Sequence, residues 1–104
     1  MKKKIREANR MNWLMPCYRF QGADNDEQME KIEEEVKEVF DALIRYMVDP
    51  GRENRMALLM ECADVQVCIE TLMHNLGADE YERMEARRCV WKKNDDRGYY
   101  DEER

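Results

Sequence analysis

Chain breakers are scarce: the only prolines and glycines are Pro16, Gly22, Pro50, Gly51, Gly77 and Gly98. The stretches between them are long, and none shows the strict apolar–polar alternation of a half-buried strand. With His74 the single histidine, a zinc site built on Cys and His ligands is not expected. The four cysteines, Cys17, Cys62, Cys68 and Cys89, form no C-x-x-C and no disulfide framework. Free thiols, and hence a reducing cytoplasmic setting, are expected. No apolar run approaches the roughly 18 residues of a membrane span. The basic start is followed by no apolar core, so no signal peptide is expected. No internal repeat is visible.

What the chain has in abundance is charge, 40% of all residues with a net −6. An acidic protein repels nucleic acid and acidic membranes, so neither is expected as a partner. The acid is uneven: residues 1–19 carry Lys2, Lys3, Lys4, Arg6, Arg10 and Arg19 against Glu7 alone. A chain of 104 residues suits one domain. A domain of that size buries only about two-thirds of its unfolded surface. A homodimer or homotetramer would add what the monomer lacks.

The breakers divide residues 1–104 into a basic N-terminal helix and loop (1–23), a helical core (24–93) and a polar tail (94–104). A first helix is expected over about Ile5–Met15, then a loop from Pro16 to Gly22. Asp24 with Glu27 three residues on reads as a capping box. The helix it opens carries an apolar stripe of Met29, Ile32, Val36, Val39, Leu43 and Met47. Asp49-Pro50-Gly51 is a turn. The next helix, about Glu53–Leu76, has the stripe Leu58, Cys62, Val65, Ile69, Leu72 and Leu76. Gly77 suits the left-handed position after its end. Asp79 with Glu82 opens a last helix reaching about Lys93. The fold class is therefore all-α, an antiparallel bundle of three to four helices per chain, completed by oligomerisation.

The spacing E-x-x-[DE] occurs six times among 24 acidic residues, so most instances are solvated faces. Glu61/Asp64 stands apart, because these are the only charges in the thirteen residues Ala57–Ile69. Both are expected to be at least half buried, and a buried carboxylate needs a compensating cation. Glu61 and Asp64 each precede a stripe residue, Cys62 and Val65. Glu35 and Glu38 precede Val36 and Val39 in the same register. In an antiparallel pair all four acids can converge at the rim of the seam. An all-oxygen set points to Mg²⁺, with Mn²⁺ as a substitute. The alternative is an ordinary ion-pair network, with Arg45, Arg52 and Arg55 as the candidate cations.

Glu34-Glu35-Val36-Lys37-Glu38 followed after 22 residues by Glu61-Cys62-Ala63-Asp64 resembles the EE-x-x-E … E-x-x-D signature of MazG-like and dimeric dUTPase-like pyrophosphohydrolases. Asn75-Leu76-Gly77-Ala78-Asp79 resembles that family's break before its last helix. Lys92-Lys93-Asn94-Asp95-Asp96-Arg97-Gly98 resembles its C-terminal K-N-x-x-R-G segment. The likeness covers about residues 28–100. It implies Mg²⁺-dependent cleavage of a nucleoside triphosphate between the α and β phosphates, giving a nucleoside monophosphate and pyrophosphate. It implies Glu35, Glu38, Glu61 and Asp64 as metal ligands and assembly of two or more subunits. Such chemistry needs charge neutralisation and positioning more than covalent help. Glu38 and Glu61 are the candidate catalytic carboxylates, Glu38 as the group orienting the attacking water.

Lys93, Asn94 and Arg97 are candidate substrate contacts; the alternative is a solvated helix end whose cations favour the dipole. Trp13 is a candidate base-stacking residue or a core or interface tryptophan. His74 reads as a surface or capping residue. Two other functions stay open. One is a specialised relative, a dUTPase or a phosphoribosyl-ATP pyrophosphohydrolase. The other is a non-catalytic helical interaction module that kept the fold.

Overall fold

Asp24 fixes where the first long helix begins. Its backbone is extended and its carboxylate accepts the Glu27 N–H at 2.8 Å, satisfying one of the donors a helix start leaves free. In the computed structural model, which describes residues 14–102, this helix is α1, Asn25–Val48. Glu27 returns no bond to Asp24, so the expected capping box is half formed. Pro50 lacks an N–H and stops the ladder. Across the turn Asn54 Nδ2 donates to the Asp49 carbonyl at 2.9 Å. Helix α2, Arg52–Asn75, then runs back along α1. It ends at Gly77, whose φ of 89° is the left-handed conformation. The Ala78 N–H closes on the Met73 carbonyl at 3.2 Å. Asp79 and Glu82 form the full capping box of α3, Glu80–Asp96. The described residues are all-α, with no strand among them.

The last helix runs to Asp96, past the Lys93 expected, because Gly98 (φ 74°) and not the first polar residue ends it. The expected loop 16–22 contains a 3₁₀ turn, Tyr18–Phe20. It is tied to the end of α2: Cys17 N–H donates to Thr71 Oγ1 at 2.9 Å, and Asn75 Nδ2 bonds Phe20 O and Gln28 Oε1 at 3.1 and 3.0 Å. The expected helix at Ile5–Met15 falls mainly outside the described residues; Leu14 and Met15 are non-helical. No described helix is long and apolar enough to cross a membrane.

The α1–α2 seam differs from the expected stripes. On α1 the covered residues are Gln28, Ile32, Glu35, Val36, Val39, Ala42 and Tyr46, while Met29, Leu43 and Met47 are exposed. On α2 Leu58, Val65, Ile69 and Leu72 face inward, and Cys62 and Leu76 are exposed. Within the helices Ala42 is the one buried apolar residue among those described. A surplus of apolar residues let several stripes fit either helix, and packing chose a neighbouring one. All four cysteines are free.

Candidate metal centre

The hairpin brings three of the four expected carboxylates together. Glu38 lies eleven residues before Asp49 and Glu61 ten after Gly51, so the turn sets them at the same height on antiparallel helices. Glu35 is one turn earlier on the face of α1 that carries Glu38. One oxygen from each of Glu35, Glu38 and Glu61 lies within 4.8 Å of the others. Glu35 is buried, Glu61 half-buried and Glu38 exposed, so the cluster opens to solvent on one side.

Glu35 Oε1 accepts from Lys31 Nζ at 2.9 Å. Glu35 Oε2 and Glu61 Oε2 are buried and have no hydrogen-bond partner. A buried acceptor left unpaired costs about 1–3 kcal/mol, more when charged. The charges also act on one another. The Glu35 carboxylate beside it raises the Glu38 carboxyl above its ordinary range, with desolvation and Glu61 adding to the effect. The hydrogen bond to Glu35 and its charge hold the Lys31 ammonium above its usual value. Burial, then Glu35, pushes the Cys68 thiol up. A divalent cation seated among the three would relieve the repulsion and supply the countercharge these carboxylates lack.

Asp64 departs from expectation. It is exposed and stands outside the trio. Three residues turn a helix through about 300°, which sets Asp64 about 60° round α2 from Glu61, toward solvent. The candidate cations of the alternative network are elsewhere. Arg45, Arg52 and Arg55 pair with no acid among the described residues, and Arg45 Nε instead donates to the Asp41 carbonyl at 3.4 Å. Lys31 is the one described cation paired with the trio.

Lys93, Asn94 and Arg97 lie at the end of α3. Asn94 Nδ2 donates to Tyr100 Oη at 3.3 Å, and the Arg97 guanidinium sits 5.9 Å from the Tyr99 ring centre. Tyr100 stacks on Trp91 at 6.0 Å, so the expected polar tail folds back on its helix. Trp13 lies outside the described residues. His74 is half-buried, edge-on to Tyr18 at 5.1 Å.

Glu70, the most buried acid among the described residues, escaped the sequence reading. It follows the Ala57–Ile69 run and lies half a turn round α2 from Glu61, on the opposite face. It is 2% exposed. Arg83 Nε donates to its Oε2 at 2.7 Å, Arg87 to its Oε1, and Arg83 also holds the Ala78 carbonyl at 2.7 Å. Two arginines four apart on α3, beside Met84, were the available signal. This triad ties α3 to α2, so a true buried ion-pair network exists, away from the candidate site. The chain matches no model of a known family, no curated protein and no solved structure.

Proposed function

We propose that the chain is a Mg²⁺-dependent pyrophosphohydrolase acting on nucleoside triphosphates, with Glu35, Glu38 and Glu61 as the metal-holding carboxylates. The observation that carries this reading is that two of the three clustered carboxylates, Glu35 and Glu61 on facing helices, each keep a buried, unpartnered oxygen, Oε2 in both. A scaffold gains nothing from such atoms, since an apolar replacement would be neutral or stabilising. The resemblance of Glu34–Glu38 and Glu61–Asp64 to the MazG-like signature supports the same assignment.

A bound divalent cation would supply charge neutralisation at the phosphates and lower the pKa of the attacking water. The chain's own residues do the rest. Glu35, buried and fixed by packing, anchors the site. Glu38, exposed at the open side of the cluster, orients the water that attacks the α-phosphorus. The bond from that phosphorus to the bridging oxygen breaks, and pyrophosphate leaves with that oxygen. Asp64, on the solvent side one turn along, suits the cation that arrives with the triphosphate. Lys93, Asn94 and Arg97 are the proposed phosphate and sugar contacts.

Assembly belongs to the same proposal. Phe40, Ile44 and Met47 on α1, and Met56, Leu59 and Met60 on α2, are half or more exposed near the hairpin turn. An apolar patch on a chain with so little core marks a contact surface, and a second copy is the proposed occupant. The four free thiols support a reducing cytoplasmic setting. The test is pyrophosphate release from the common NTPs and dNTPs with Mg²⁺, which is expected for at least one of them. Release that persists undiminished in excess EDTA, or no release from any, would refute the reading.

A further inference from the structure

We infer that Lys31 is a tethered stand-in for the metal: its ammonium holds Glu35 in the metal-free protein and passes to the substrate's phosphates when the cation binds. This rests on the reading of the trio as a metal site. Lys31 and Glu35 are four apart on α1, and Nζ lies 2.9 Å from Oε1. The pair is asymmetric. The Glu35 side chain is 11% exposed, and Lys31 is 54% exposed. The carboxylate is thus fixed while the lysine, on a flexible four-carbon stem, is free to swing.

Charge decides which cation wins. Three carboxylates and one ammonium leave the cluster two charges short of neutral, and neither orphaned oxygen accepts a hydrogen bond from the ammonium. A divalent cation supplies the missing charge but places a like charge beside Lys31. A +1 and a +2 charge about 5 Å apart in water at physiological salt repel enough to change an equilibrium constant about fivefold. Lys31 therefore opposes metal binding in the absence of nucleotide. A triphosphate on the cation reverses the balance, because an ammonium is a point-charge ligand for phosphate oxygens. The same side chain thus weakens the empty metal site and strengthens the loaded one. Coupling of this sign favours metal and substrate arriving together.

The test uses the full chain, with Mn²⁺ and inorganic tripolyphosphate as probes. Lys31→Gln should bind Mn²⁺ about fivefold more tightly than wild type, and should bind tripolyphosphate in the presence of Mn²⁺ several-fold more weakly. Lys31→Arg should stay near wild type in both. Lys37→Gln, an exposed lysine on the same helix, should move both far less. A helix-surface ion pair with no further role would not produce two shifts of opposite sign. If wild type binds Mn²⁺ but Lys31→Gln binds it equally or more weakly, the stand-in role is refuted and the metal reading survives. If folded wild type does not bind Mn²⁺, both fall.

Discussion

Glu61 and Glu70 lie nine residues apart on α2, yet neutralising each should move stability in opposite directions. Glu70→Gln leaves Arg83, 6% exposed, and its neighbour Arg87 without their shared countercharge. Breaking a buried ion pair by removing one partner costs about 3–5 kcal/mol. The glutamine keeps one acceptor oxygen, so the lower end, about 3 kcal/mol, is the expected loss. At about 4–8 °C per kcal/mol for a domain near this size, the melting temperature should fall by about 12–24 °C. Glu61→Gln instead removes one of three like charges and neutralises a carboxylate whose Oε2 has no partner. Without metal its melting temperature should hold or rise. Circular dichroism melts in EDTA decide this, at one protomer concentration because assembly makes stability concentration-dependent. A fall for Glu61→Gln as large as that for Glu70→Gln would reveal a cationic partner for Glu61 and remove the premise of the metal site. A wild-type melt for Glu70→Gln would refute the triad as the tie between α2 and α3.

The Glu38 carboxyl is held above its ordinary 4.5, chiefly by Glu35, so the folded metal-free protein binds this proton more tightly than the unfolded chain does. That stability is complete below about 4.5 and is lost as pH rises through the raised value; Glu38→Gln should flatten the corresponding slope of melting temperature against pH in EDTA. Asp64→Asn should lower pyrophosphate release by about 10²-fold, as expected for one electrostatic group in such a site, while leaving the metal-free melt near wild type; activity equal to wild type would remove Asp64 from the site. Glu82→Gln, in the α3 capping box, should cost at most about 1 kcal/mol and little activity in the same two assays. Sedimentation at micromolar concentration should show a dimer or larger, and a 12.6 kDa monomer alone would contradict the proposed use of the Phe40 and Leu59 faces.

Helix starts and turns were readable because a local, short-range chemistry sets them. Asp24, Asp79 and Pro50 act on backbone groups within four residues, and each marks a real boundary. The pairing of Glu35 and Glu38 with Glu61 was also readable, since equal distances from one tight turn fix relative height. Burial was harder. Of the expected α1 stripe, Ile32, Val36 and Val39 are covered, while Met29, Leu43 and Met47 lost their places to Gln28, Ala42 and Tyr46, and only packing against α2 separates the two sets. The same rotation explains Asp64, which shares a run with Glu61 but not its direction. Glu70 was missed because its partners are on α3, beyond the reach of any pattern within α2. The arginines that hold it are thirteen and seventeen residues away, and their spacing of four on α3 was the one signal in the sequence.

In the proposed function Glu35, Glu38 and Glu61 hold a catalytic divalent cation. Calorimetric titration of Mn²⁺ into the EDTA-stripped, dialysed full chain, beside Glu61→Gln, tests it most directly. Wild type should bind saturably and Glu61→Gln at least tenfold more weakly, the loss of about 1.4 kcal/mol that one ligand charge should carry at minimum. Equal binding by the two proteins, or none by a folded wild type, would contradict it.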